Sequence, residues 1–409
     1  TLTCPRAALS AGGALHAACA AAVSAGGAVR QEAVARLPVP ALGVRGGDVC
    51  LDLCASPGTK TIQMLEDGAA AVFANDAHPG RADAMLSALA RHGRDGIADA
   101  SRVVATVGPG ETFPAPAAPF RAGARIGFDR VLADVPCSGD GTCRKDPGVL
   151  PRWTPGVGNA LHAVQADIAY RGMQLLVPGG TLVYSTCSLN PVEDEAVVAE
   201  VLRRAREETG RRDAVKVLPW PADLFPGLVR REGAATWRVA DHAEMDDGEE
   251  EVGLRWFDTH EDAAAAGMEH AVPSLWPPKN DTDNEYVSKN LRRCSRFLPH
   301  DQDTGGFFVA ILKKGVAGWK DPGPPPGRNT GPVRDVDVAP APLRLLPETV
   351  LREIVETHDL DPERARARLR WAPAGDGGGR PTVVVVPRAL GAFGGDGCGG
   401  GIVHRAGAR

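Results

Sequence analysis

Asp52-Leu53-Cys54-Ala55-Ser56-Pro57-Gly58-Thr59-Lys60 is the stretch that decides the fold. The residues before it, Val49 to Leu53, form a compact apolar strand entered through Gly46-Gly47. Pro57-Gly58 then permits a sharp turn, and Thr59 to Glu66 reads as a helix. Working outward, the same strand–turn–helix rhythm repeats. Ala71 to Ala74 is a second strand ending at Asn75-Asp76, followed by a helix over Arg81 to Arg91. Arg102 to Val107 is a third strand, and Phe128 to Val135 a fourth, with a Pro/Ala/Gly loop from Pro109 to Gly123 between them. A helix over Ala160 to Leu176, a fifth strand over Thr181 to Ser185 and a helix over Glu193 to Arg206 complete the series. Upstream, Arg30 to Arg36 reads as a short helix stopped by Pro38 and Pro40. Alternating strands and helices predict an α/β fold, an open and mostly parallel sheet with helices on both faces, which binds ligands at the carboxyl ends of its strands.

The ends of those strands carry the chemistry. After the first, the turn and the helix N-terminus offer free backbone N–H groups and a partial positive charge, suited to a carboxylate-bearing ligand. The spacing is neither G-x-G-x-x-G nor a P-loop, so a purely structural turn reads equally well. Asp76, after the second strand, stands where this kind of fold places an acid for ribose hydroxyls; it could also merely cap the next helix. The fourth strand runs into Asp134-Val135-Pro136-Cys137 and the fifth into Ser185-Thr186-Cys187-Ser188. Adjacent parallel strands would bring both cysteines to one rim.

A free thiol is only a few per cent ionised at neutral pH, so a nucleophilic cysteine needs a nearby donor, cation or helix end. Lys60, Arg144, Lys145 and the helix starting near Pro191 are the candidates in sequence. Buried, inert thiols are the alternative for both, but each sits in a polar turn, whereas Cys50 lies inside an apolar strand. Asp134 adds a carboxyl group that could meet the edge of a base. Thiol and carboxyl together suit covalent chemistry on a pyrimidine.

Composition sets the frame. The 409 residues are 43% hydrophobic and 24% charged, as expected for globular domains, and the formal net charge of -5 means that any nucleic-acid site must be a local basic patch. Nine cysteines, an odd count without paired C-x-x-C spacing, argue against a disulfide framework or a zinc site. An intracellular location and no metal are therefore expected, and no apolar run is long enough to span a membrane. The expected organisation is an Ala-rich helical lead-in over 1–47, a catalytic domain over 48–318, a Pro/Gly linker over 319–340, and a partial C-terminal α+β domain over 341–409 ending in a disordered Gly-rich tail from Gly391. Within it, Phe307 to Leu312 reads as a strand, Glu244 to Glu251 as a solvated acidic loop, Glu348 to His358 as a helix and Val383 to Val386 as a strand.

Taken together, DLCASPGTKT (Asp52 to Thr61), ANDAHPGR (Ala74 to Arg81), FDRVLADVPCSGDGTCRKD (Phe128 to Asp146), YSTCSLNPVEDEAVV (Tyr184 to Val198), LPHDQDTGGFFVAILKK (Leu298 to Lys314) and RQEAV (Arg30 to Val34) resemble the Nop/Sun family of RNA cytosine-5 methyltransferases, especially its eukaryotic tRNA branch. The resemblance covers Arg30 to Lys314 and continues weakly to about Arg388. It implies a Rossmann-like class I fold that binds S-adenosylmethionine through Cys54, Ala55, Ser56, Pro57, Gly58, Thr59 and Lys60, with Asp76 on the ribose and Asp134 beside the methyl group and the target base. It also implies Cys187 as the nucleophile and Cys137 as the residue that assists product release. The expected activity is methyl transfer to carbon 5 of cytosine in RNA, with tRNA as partner, by a monomer in the nucleus or nucleolus. Arg144 and Lys145 are expected to meet RNA, and Arg292, Arg293 and Arg296 form a second basic cluster. One departure stands out: Val104 to Gly108 lacks the aspartate that the family places near the adenine, so a weakened RNA-binding scaffold of the same fold is the alternative.

Overall fold

The computed structural model describes residues 13–25, 27–93, 102–116, 120, 126–242, 253–278, 282–316 and 318–319, with short pieces at 344–345, 352, 369–372, 382–385 and 402–403. In chain order the central strands are β1 (Val49–Asp52), β2 (Ala71–Asp76), β3 (Val103–Val107), β4 (Phe128–Asp134) and β5 (Leu176–Thr186). Then come β6 (Val215–Leu218), β7 (Arg231–Glu232), β8 (Val239–His242), β9 (Leu254–Phe257), β10 (Ser295–Phe297) and β11 (Phe307–Lys314). Helices α1 (Ala14–Ser24), α2 (Pro38–Leu42), α3 (Thr59–Glu66), α4 (Pro79–Gly93), α5 (Pro155–Leu175) and α6 (Glu195–Thr209) surround them.

The sheet runs β3-β2-β1-β4-β5-β11, with β10 and β6 both pairing the far side of β11. From β3 to β5 every pairing is parallel, and β11 enters antiparallel to β5. This is the expected Rossmann-like class I arrangement. Alternation along the strands feeds two cores. Leu51, Phe73, Val131 and Tyr184 face one, with α5 and α6; Cys50, Val72, Leu132 and Val183 face the other, with α2, α3 and α4. Helices therefore cover both faces. On the first face Phe128 stacks edge-on against Phe73 and Phe113, with ring centroids 5.3 and 6.1 Å apart.

The expected helix over Arg30 to Arg36 is a single 3₁₀ turn at Val34–Arg36. Pro38 opens α2 instead of ending a helix, because proline at a first helical position loses no internal hydrogen bond. β5 begins at Leu176 and α6 at Glu195, which leaves Asn190 to Asp194 as a loop. Leu369–Ala372 pairs with Arg344–Leu345 and with Thr382–Val385 in a small antiparallel sheet. In the tail expected to be disordered, Ile402–Val403 adds a two-residue edge to β3, where the unpaired backbone of an edge strand accepts a partner. Most of the expected linker, the acidic loop and the helix over Glu348 to His358 lie outside the described residues. No described helix is long and apolar enough to cross a membrane.

Candidate active site

The β4–β5 register places Asp134 opposite Ser185, so the loops that leave the two strands start side by side. Asp134 Oδ1 accepts a 2.6 Å hydrogen bond from Ser185 Oγ, and Oδ2 a 2.6 Å bond from Lys60 Nζ at the start of α3. Three strand ends thus converge on one carboxylate. Just beyond, Cys137 Sγ and Cys187 Sγ lie 3.2 Å apart. The hydrogen bond with Cys137 lowers the Cys187 thiol below its ordinary value against the opposing effect of burial; Asp134 raises it and Lys60 lowers it. The same hydrogen bond, with burial, pushes the Cys137 thiol well up. Burial alone would lower Lys60, but the attraction of Asp134 outweighs it and holds the ammonium charged. The two thiols are thus shifted in opposite directions, Cys187 down and Cys137 up.

Glu193 holds the two loops together. It is fully buried, and its carboxylate accepts from Ser138 N (2.8 Å), Ser138 Oγ (2.5 Å), Gln165 Nε2 (3.0 Å) and Ser188 Oγ (2.9 Å). Ser138 follows Cys137 and Ser188 follows Cys187, so a single carboxylate fixes both thiol-bearing turns. A second clamp is steric. Gly141 N donates to Cys187 O (2.9 Å) and Gly306 N donates to Gly141 O (2.7 Å); a Cβ on Gly141 would lie 2.6 Å from Cys187 O. Only glycine allows that approach.

At the β1 turn Gly58 has φ +98°, and no side chain caps the N-terminus of α3. That end is therefore open to an anionic group. Asp76 is buried and already accepts from His78 N (2.9 Å), Arg81 Nε (2.8 Å) and Ser56 N (3.3 Å). It does brace the start of α4, and the Arg81 side chain, 54% exposed, is the partner that can swing away. At the end of β3, where the expected acid is missing, Asn75 braces the backbone: its Nδ2 donates to Gly108 O and its Oδ1 accepts from Thr106 Oγ1, both at 2.9 Å.

Comparison with known proteins adds what the chain is similar to. The description "16S rRNA methyltransferase RsmB/F" matches residues 39–217. The matched stretch contains β1 to β5 and both cysteine loops. Similar proteins include the multisite-specific tRNA:(cytosine-C(5))-methyltransferase of Saccharomyces cerevisiae, 35% identical over 295 residues, covering 70% of this chain and 38% of that protein. The tRNA (cytosine(34)-C(5))-methyltransferase of Drosophila melanogaster is 36% identical over 302 residues, covering 70% of this chain and 37% of its own length. Ribosomal RNA small subunit methyltransferase F of Escherichia coli is 38% identical over 201 residues, covering 48% of this chain and 38% of that protein. The chain thus spans about two fifths of the length of the relatives it matches.

Of the site residues expected from sequence, the fold brings Lys60, Asp134, Cys137 and Cys187 together, and sets Cys54 to Thr59 and Asp76 around the β1 turn. Lys60, expected at the cofactor, pairs with Asp134 at 2.6 Å. Arg144 pairs with Asp303, and Lys145 is exposed. In the second basic cluster, Arg296 is not a surface charge. It is buried against Glu195 and Asp194 and donates to Leu189 O (2.8 Å). Arg293 donates to Val217 O (3.0 Å), and it and Arg292 are both exposed. Sequence reasoning passed over Glu193, which reads as the first residue of a helix over Glu193 to Arg206, where an acid is ordinary. No cluster able to hold a metal exists among the described residues.

Proposed function

We propose that the protein transfers a methyl group from S-adenosylmethionine to carbon 5 of cytosine in RNA, with tRNA as the substrate, working as a monomer in the nucleus or nucleolus. The observation that carries this reading is the thiol pair: two cysteines 3.2 Å apart, one lowered and one raised, beside an Asp134–Lys60 pair at the rim that also holds the β1 turn. The names of the tRNA-modifying relatives support the choice of substrate. Bound at the β1 turn by the backbone of Cys54 to Thr59, S-adenosylmethionine supplies an electrophilic methyl group.

The chain's own residues do the rest. The Cys187 thiolate attacks carbon 6 of an unstacked cytosine, forming an S–C bond and moving the double-bond electrons toward carbon 5. Asp134, held by Ser185 and Lys60, accepts a hydrogen bond from the edge of the base and orients it. Carbon 5 takes the methyl group and a base removes its proton. That electron pair re-forms the double bond and expels Cys187 as thiolate. The Cys137 S–H stabilises the departing sulfur by donating to it, which is how Cys137 assists release. Arg144 and Lys145 contact phosphates next to the site.

The test is incorporation of labelled methyl groups into tRNA. Cys187→Ala should abolish incorporation; retained activity refutes the nucleophile. Cys137→Ala should accumulate a covalent enzyme–RNA adduct on a denaturing gel, and its absence refutes the release role. A scaffold is the second reading, favoured by the missing acid after β3 and by the three protein donors already on Asp76. RNA binding without incorporation would select it.

A further inference from the structure

Beside the two cysteine loops lies a groove of about 370 Å³, a size suited to a small ligand or one nucleotide unit. Three of the protein's seven tryptophans line it, Trp153, Trp237 and Trp256, together with Arg238. Its inner wall is continuous with the thiol-bearing turns. Trp153 Nε1 donates to Ser138 Oγ (3.1 Å), next to Cys137, and Asp140 accepts from Leu189 N (3.1 Å), two residues beyond Cys187. Its outer wall is the antiparallel β8–β9 pair, in which Ala240 lies opposite Trp256. Trp237 is fixed by a 2.7 Å bond from its indole N–H to Leu275 O.

The outer wall is open to solvent. Trp256 is 51% exposed, and the Arg238 guanidinium lies 5.5 Å from its ring centroid. The Arg238–Asp258 contact, at 3.1 Å between two exposed side chains, contributes little and leaves the cation open to a phosphate. One exposed tryptophan is ordinary. Three converging on one concavity with an arginine over the outermost ring form the surface on which single-stranded nucleic acid stacks its bases. A cytosine presented to Cys187 must leave its own stack, and the neighbouring base then needs a new partner.

We propose that this groove is a stacking subsite for a nucleobase adjacent to the methylated cytosine, with Trp256 as the platform and Arg238 on the accompanying phosphate. The proposal rests on the RNA methyltransferase reading. The experiment pairs Trp256→Ala and Trp256→Phe with RNA substrates that carry an abasic nucleotide at each position flanking the target. Loss of one stacked base is worth about 1–3 kcal/mol, so Trp256→Ala should raise the KM for RNA about tenfold. Its effect on kcat should be smaller, and Trp256→Phe should recover most of the affinity. One abasic position should reproduce the defect in wild type and add nothing to Trp256→Ala.

An unchanged KM, or defects that multiply at every abasic position, overturns the subsite. Quenching of tryptophan emission by oligocytidylate separates the two failures. If no methyl is incorporated but quenching occurs and is reduced in Trp256→Ala, the cytosine-5 reading fails and the base-binding groove stands. If oligocytidylate does not quench, or quenches Trp256→Ala equally, the groove falls.

Discussion

Replacing Glu193 with alanine should loosen both thiol-bearing turns at once. The magnitude follows from which donors lose their only partner. Gln165 Nε2 keeps a 2.9 Å bond to Pro136 O, and Ser138 Oγ keeps Asp140 within 3.3 Å. Ser138 N has no such substitute, and the buried Ser188 hydroxyl has only Ser138 Oγ, 3.4 Å away. At about 1–3 kcal/mol for a buried donor left unpaired, with a weakened second bond beside it, the loss is about 3 kcal/mol, a sizeable share of the roughly 5–15 kcal/mol that holds an ordinary domain together. Glu193→Gln keeps the shape and one acceptor oxygen, and should lose about 1–2 kcal/mol. Urea unfolding followed by circular dichroism measures both variants. Alkylation of Cys187 by iodoacetamide reports whether the thiol pair is still aligned. A Glu193→Ala protein within about 1 kcal/mol of wild type, with an unchanged Cys187 alkylation rate, would refute the idea that this carboxylate organises the site.

Asp52 is buried, its Oδ2 accepts from Thr61 Oγ1, and burial pushes its carboxyl up to about 7. The folded state therefore binds the proton more tightly than the unfolded chain, and the associated stability is lost as pH rises from about 4 toward 7. Between about pH 5 and pH 7 wild type should lose about 2–3 kcal/mol that Asp52→Asn does not, which paired thermal-unfolding series would show. Lys60→Met removes the cation that helps lower Cys187, so the pH profile of Cys187 alkylation should move to higher pH; an unmoved profile refutes that role. Arg296→Met leaves buried Glu195 and Asp194 without their counter-charge and should destabilise by about 3–5 kcal/mol in urea, whereas a surface arginine at this position would cost almost nothing. Gly141→Ala should separate the Cys187 turn from Gly306, slowing methyl transfer far more than it lowers stability, as turnover and melting temperature measured together would show.

The alternation of apolar strands and helices was readable in the chain because it is local: Val49 to Leu53, Ala71 to Ala74 and Phe128 to Val135 each carry their own signal. The rim was readable too, since parallel neighbours send Asp134 and Ser185 the same way. What escaped depends on contacts between residues far apart in sequence. Glu193 reaches back 55 positions to Ser138, and Arg296 reaches 101 positions to Glu195. Nothing around Arg296 in sequence distinguishes it from Arg292, which stays exposed. Pro38 misled for a different reason: proline ends a helix or begins one, and only the following packing of Val39, Ala41 and Leu42 decides between the two.

The seam at Gly141, Cys187 and Gly306 also has a temporal side. Gly306 and β11 are synthesised more than a hundred residues after Cys187, yet they close over its turn and pair with the strand that carries it. A ribosome-borne chain that stops short of Gly306 has both sulfur atoms and the whole β1 turn, but lacks the Gly306 contact that closes over the Cys187 turn. Closure of the seam between the two thiol-bearing turns therefore waits on the synthesis of Gly306 and β11.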